Sequence, residues 1–202
     1  MNRKMQFSLI CLLLLLLACQ RDVKELVTAG HIEAEKGEQE KAIKTFKKAI
    51  RINPEYAEAH FNLGVAYREL GLDKDAMEAF KKAIRIDPDY SVAHVNLGIT
   101  YRELSRHEEA IEAFKQAIRI DPDSTFARVN LGITYRELCR YDEAIEAFKQ
   151  AIRINPEYAE AHYNLGIVYL DYKNTDGAIK QYKILRDLNQ NMADELFNHI
   201  YK

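Results

Sequence analysis

The sequence predicts an all-α fold of tandem helix–turn–helix units, closed at the C-terminal end by a capping helix. Three observations carry that prediction. Single residues recur every 34 positions: Pro54, Pro88, Pro122 and Pro156; Gly64, Gly98, Gly132 and Gly166; Tyr67, Tyr101, Tyr135 and Tyr169. Whole stretches return unchanged, with LGITYREL at Leu97 and Leu131, EAIEAFKQAIRI at Glu109 and Glu143, and INPEYAEAH at Ile52 and Ile154. Within each interval two apolar stripes follow helical spacing, such as Leu63, Tyr67 and Leu70, then Ala76, Ala79-Phe80 and Ala83-Ile84. A period of this length with two helices per copy marks a solenoid, in which no unit buries its stripe alone.

Residues 1–18 read as an export signal, because basic Arg3 and Lys4 precede an apolar run uninterrupted from Leu9 to Cys19. Even counted from Met5 to Gln20, a helix would reach only ~24 Å, against a hydrocarbon core of ~30 Å. Leu16-Leu17-Ala18-Cys19 resembles a bacterial lipobox. That resemblance implies a diacylglycerol on Cys19, cleavage just before it, and acylation of the new amino group by a chain such as palmitate. An ordinary cleaved signal and a short uncleaved anchor are the alternatives. Residues 19–22 are then the lipidated cysteine and a short linker.

Five units follow, over 23–56, 57–90, 91–124, 125–158 and 159–192, and 193–202 reads as the capping helix. In each unit small residues such as Gly64, Ala76 and Ala83 allow helices to approach, while Tyr67 and Phe80 fill the remaining space. Asn-Pro or Asp-Pro ends the second helix, since proline cannot donate to the previous turn and disfavours helix before it. The tail MADELFNHIYK places Leu196, Phe197 and Ile200 on one face.

In the second unit His60, Leu63-Gly64, Tyr67, Ala76, Phe80, Ala83 and Pro88 match the tetratricopeptide repeat, which the chain resembles over nearly all its length after the signal. The resemblance implies a right-handed superhelix whose stacked first helices line a concave groove that holds a partner. Arg128 replaces the histidine in the fourth unit. The first unit has Ala29-Gly30 and Glu33 where Leu-Gly and Tyr are usual, and the fifth has Tyr182, Leu185 and Gln190 where Phe, Ala and Pro are usual. Terminal units face solvent or a cap, so such departures are expected.

Removing residues 1–18 takes away two cations and no acid, moving the formal charge from −2 to −4. Mild acidity gives no electrostatic footprint for nucleic acid. Of the three cysteines, Cys11 leaves with the signal and Cys19 carries lipid, so Cys139 stands alone and no internal disulfide framework is expected. It occupies an inter-helix turn whose sister positions are Gly71 and Ser105, and reads as a tolerated turn residue.

Chemistry is sparse. His60, His94 and His162 recur one repeat apart, whereas metal ligands must converge within ~2.0–2.2 Å of one point. They and the tyrosine column read as packing. Glu108-Glu109 and Asp142-Glu143 open second helices, where acids complement the helix dipole. No phosphate loop, nucleophile elbow or HExxH helix is present, so neither enzyme activity nor a cofactor is expected.

The groove is the candidate site. Positions 2, 5, 9 and 12 of each unit share one face of the first helix. They are Glu58, Phe61, Val65 and Arg68; Val92, Val95, Ile99 and Arg102; Phe126, Val129, Ile133 and Arg136; Glu160, Tyr163, Ile167 and Leu170. This predicts an apolar floor bordered by an arginine column, which pairs either with acids of a bound segment or with the adjacent Glu69, Glu103 and Glu137. Relatives that clamp a terminal carboxylate use Lys and Asn at positions 5 and 9, and here both columns are apolar. The floor instead suits an amphipathic helix or an extended apolar segment of a protein partner. By analogy with bacterial repeat lipoproteins, the expected role is a lipid-anchored scaffold in assembly of a cell-envelope complex, at the outer membrane rather than the inner. The alternative is an accessory subunit of a cell-wall hydrolase or synthase that binds outside the groove.

Overall fold

The computed structural model describes residues 20–202, so Cys19 and the signal lie outside the described residues. Every regular element among the described residues is an α-helix. The described part of α1 covers 20–35. It is followed by α2 (Gln39–Ile52), α3 (Ala57–Glu69), α4 (Asp73–Ile86), α5 (Ser91–Glu103) and α6 (His107–Ile120). Then come α7 (Thr125–Glu137), α8 (Tyr141–Ile154), α9 (Ala159–Asp171), α10 (Thr175–Leu188) and α11 (Gln190–Ile200). Residues up to Thr100 form one compact unit and Tyr101–Lys202 a second.

Helix ends follow from local chemistry. The second helices α2, α4, α6 and α8 all stop at an isoleucine, and the next residue is Asn53, Asp87, Asp121 or Asn155. The N–H of that residue still reaches back to an alanine carbonyl, at 2.9 Å for Asn53 and Asp87. Its side chain accepts from the N–H two residues on, as in Glu55 N to Asn53 Oδ1 at 3.1 Å. Proline sits between, so the helix cannot continue.

The turn from first to second helix needs one left-handed residue, again every 34 positions: Gly37 and Gly71, then Ser105, Cys139 and Lys173, with φ between 56° and 77°. Only glycine adopts this region without strain, and other L-residues lose roughly 1–2 kcal/mol there. Lys173→Gly is therefore expected to stabilise the protein by about 1 kcal/mol. A higher urea midpoint at unchanged slope is the expected readout, and a lower one would contradict the strain argument.

In the unit ending at Thr100, α1 and α2 run antiparallel. Val23 and Val27 of α1 share a core with Ala42, Ile43, Phe46 and Ala49 of α2, and the same core continues to Ala59 and Leu63 of α3. Helices approach where glycine faces phenylalanine: a Cβ on Gly64 would come within 2.6 Å of the Phe80 ring, and one on Gly30 within 2.5 Å of Phe46. In the second unit α7 packs on α8, α8 on α9 and α9 on α10, while first helices α7 and α9 also touch. Gly132 faces Phe148 there in the same way. Phe46, Phe80, Phe114 and Phe148 are all fully buried.

The fifth unit solves this contact differently. With Tyr182 in the phenylalanine position, Gly166 meets Leu196 of α11, and a Cβ there would lie 2.5 Å from Leu196 Cδ2. Leu196 is buried with Leu185, Ala193 and Ile167, and α11 packs on both α9 and α10, as a capping helix does. Residues 20–22, expected to be linker, are helical, because Val23 and Val27 are already core residues and the turn that buries them begins before them.

Candidate interaction surface

The first helices carry the residues that the repeat spacing assigns to the groove, and each compact unit presents its own set. In the unit ending at Thr100, Glu58 is exposed and held by the Tyr56 hydroxyl, which donates to Glu58 Oε2 at 2.8 Å. Phe61 is half-buried, its ring centroid 5.8 Å from that of Phe80 and 5.1 Å from that of Tyr90. Val65 and Ile99 are half-buried, Val92 is 53% exposed, and Val95 is buried. In the second unit Phe126 is 48% exposed, Ile133, Tyr163 and Leu170 are half-buried, and Val129 and Ile167 are buried. The structure therefore divides the floor. Val95, Val129 and Ile167 are core side chains, whereas Val92, Phe126, Phe61 and Tyr163 have surface to offer a ligand.

The arginine column does not end in open solvent. Arg68 Nη1 donates to Asn96 Oδ1 at 2.8 Å, with Glu69 only at 4.0 Å. Arg136 Nε donates to Asp171 Oδ2 at 2.6 Å, and Arg102 Nε lies 4.0 Å from Glu137. Asn96, Asp171 and Glu137 belong to the following repeat, so the column is tied to the next first helix as well as, at Arg68, to the adjacent glutamate. Arg102 differs from its neighbours, since its Nη1 is buried with no hydrogen bond.

Sequence reasoning missed the asparagines beside this column. Asn96, Asn130 and Asn164 each donate from Nδ2 to the carbonyl four residues back, at 2.8, 2.9 and 2.9 Å. With Asn62, whose Nδ2 is buried without a partner, they recur every 34 positions, which is the signal that could have found them. The histidine column has a role beyond packing: Nε2 of His60, His94 and His162 lies 2.9, 3.0 and 2.9 Å from the carbonyls of Pro54, Pro88 and Pro156, tying each preceding turn. Among the described residues no group of three or more His, Cys, Asp or Glu is placed to hold a metal.

Burial, reinforced by the nearby carboxylates of Glu58 and Glu160, pushes the hydroxyls of Tyr56 and Tyr158 up to about 12. A raised folded-state value means that the neutral phenol stabilises the fold fully below the ordinary value near 10 and is lost as pH rises through the raised one. Stability is expected to fall between pH ~10 and ~12. Tyr56→Phe with Tyr158→Phe should flatten that decline in urea titrations, and an unchanged slope would refute the assignment.

Stacked helix pairs with such a surface define a class, the all-helical repeat scaffolds. A profile described as TPR repeat matches residues 30–71 and 134–172, and one described as Tetratricopeptide repeat matches 57–90 and 91–124. The chain belongs to the tetratricopeptide repeat family, and its repeats give it the build of a protein-interaction scaffold. Among solved structures it is similar to MamA, with 29% identity and a TM-score of 0.75 over 82% of this chain and 96% of that one. It is also similar to YrrB, described as a TPR protein with an unusual peptide-binding site, with 22% identity and a TM-score of 0.71 over 90% of this chain and 98% of that one. Pseudomonas aeruginosa pilF has 22% identity and a TM-score of 0.76 over 84% of this chain and 78% of that one. At these lower identities YrrB and pilF show the fold alone. No curated protein matches the chain.

Proposed function

We propose that this protein is exported, lipidated at Cys19 and held on the cell envelope, where its first helices take up an apolar segment of another envelope protein. One observation carries the reading. Val92 and Phe126 are large, apolar and half-exposed at the position where Glu58 and Glu160 stand in sister repeats, so packing alone does not demand them. Exposed apolar side chains on helices of the same set as half-buried Phe61 and Tyr163 suit a ligand that brings apolar side chains of its own. The role is that of a scaffold, with capture rather than turnover as its output.

A photoreactive residue in place of Val92 or Phe126 is expected to give discrete adducts in native membranes, and the same residue at Gln150 on α8 is not. Val92→Asp and Phe126→Asp are each expected to weaken capture by at least ~10-fold, because the new carboxylate must be desolvated against an apolar partner. Identical adducts at all three sites, or undiminished capture by folded aspartate variants, would sink the groove. Cys19→Ser is expected to abolish palmitate labelling, and retained label would remove the anchor from the account.

A further inference from the structure

The repeats are nearly identical in their packing residues but not in the charge of their second helices. Exposed Lys41 and Lys44 of α2 correspond to Glu109 and Glu112 in α6 and to Glu143 and Glu146 in α8. Lys48 corresponds to Lys82 in α4 and to Gln116 and Gln150, and Arg51 to Arg85, Arg119 and Arg153, so the change of sign lies at Lys41 and Lys44. Since the same scaffold accepts either sign, packing does not explain lysine in the N-terminal repeat. The helix dipole does not favour it either, because Lys41 lies in the first turn of α2, where the sister helices carry acids.

Lys41, Lys44, Lys48 and Arg51 step by three, four and three, so they form one stripe about 15 Å long on a single face of α2. Lys41 is paired with Glu38 at 2.8 Å. For Lys44, Lys48 and Arg51, all exposed, no ion pair occurs among the described residues. The stripe ends beside Ile52, an apolar side chain 44% exposed.

Its position in the fold names the occupant. The antiparallel pairing of α1 and α2, fixed by Gly30 against Phe46 and by Val23 in one core with Ala49, sets the start of α1 next to the Lys48–Arg51 end of α2. Residue 20, the first described residue of α1, follows Cys19 directly. We propose that the Lys41–Lys44–Lys48–Arg51 stripe is a membrane-facing surface that seats the N-terminal repeat on anionic phospholipid headgroups. The proposal rests on the anchoring reading above for which end of the repeat faces the bilayer. The lysines supply salt-sensitive attraction to lipid phosphates, and Ile52 reaches the boundary of the acyl region.

The test uses the full chain with phosphatidylcholine vesicles, alone or with phosphatidylglycerol, at low and high salt. The wild type is expected to bind the anionic vesicles more tightly than the neutral ones, and salt should erase the difference. Lys44→Gln, Lys48→Gln and Arg51→Gln together are expected to reduce that preference by about fivefold per cation, on the order of 100-fold in all. Lys149→Gln with Arg153→Gln on α8 should leave it intact. Glutamine is native at Gln116 and Gln150, the sister positions of Lys48, and helical circular dichroism verifies that the variants fold. A triple variant with wild-type preference, or an equal loss in the α8 control, overturns the proposal and turns attention to an acidic protein surface. Binding to neutral vesicles reads the anchor separately: a chain that fails there yet keeps the anionic preference refutes the anchor and leaves the stripe standing.

Discussion

Phe80→Ala is expected to destabilise the protein by about 3–5 kcal/mol, the usual loss when a buried aromatic ring is emptied from a core. The ring is fully buried, contacts Phe61, and fills the space that Gly64 leaves at the crossing of α3 and α4. A domain holds only ~5–15 kcal/mol in total, so the variant sits near the edge of folding. The pairing with Gly64 makes the prediction sharper. In the wild type, Gly64→Ala forces a methyl to within 2.6 Å of the ring and is expected to cost about 1–3 kcal/mol. With the ring gone that clash disappears, and alanine's advantage over glycine in a helix, about 1 kcal/mol, becomes visible. The same substitution should therefore change sign between the two backgrounds. Additive urea midpoints across the double-mutant cycle would show that the glycine and the phenylalanine are not coupled as the packing requires.

Leu196→Ala is the second large effect, at about 2–5 kcal/mol. Its side chain stands where a phenylalanine of the repeat would otherwise cover Gly166, and it belongs to the core of α9, α10 and α11 with Leu185 and Ile167. Terminal repeats have neighbours on one side only, so loss of the cap acts locally before it acts globally. Hydrogen exchange is expected to show faster opening of α9, α10 and α11. Uniform acceleration across all described helices, or none in α9, would mean that α11 does not cap the array.

The fold was legible because it is written several times over. A 34-residue interval, an Asx-Pro stop and a small residue at each close crossing are local signals, and repetition separates them from chance. Contacts between repeats were less legible. Arg68 finds Asn96 and Arg136 finds Asp171 because neighbouring first helices align side chains about one period apart. A sequence shows a column but not which member of the next column it touches. The floor of the groove met a similar limit. Val92 and Val95 are both apolar and three residues apart, yet one is half-exposed and the other buried, since a small rotation of the helix decides which faces the neighbour. At the tail, Leu196 enters the core as its spacing suggests, while Phe197 stays 42% exposed and meets the rings of Tyr182 and Tyr201 at a tilt.

Each joint in this chain is self-contained: an Asx-Pro stop after every complete second helix of the first four units, and one left-handed residue before each second helix. Removing or duplicating 34 residues at any phase joins one such segment to another of the same kind. Identical peptide stretches, such as EAIEAFKQAIRI at Glu109 and Glu143, are where such a join leaves the local sequence unchanged. Gain or loss of a whole repeat is thus a smaller structural event for this protein than loss of a single residue inside a helix, which would rotate the side chains that follow it in that helix by about 100°. The number of repeats, and with it the reach of the scaffold, is the property that heredity can change most cheaply here.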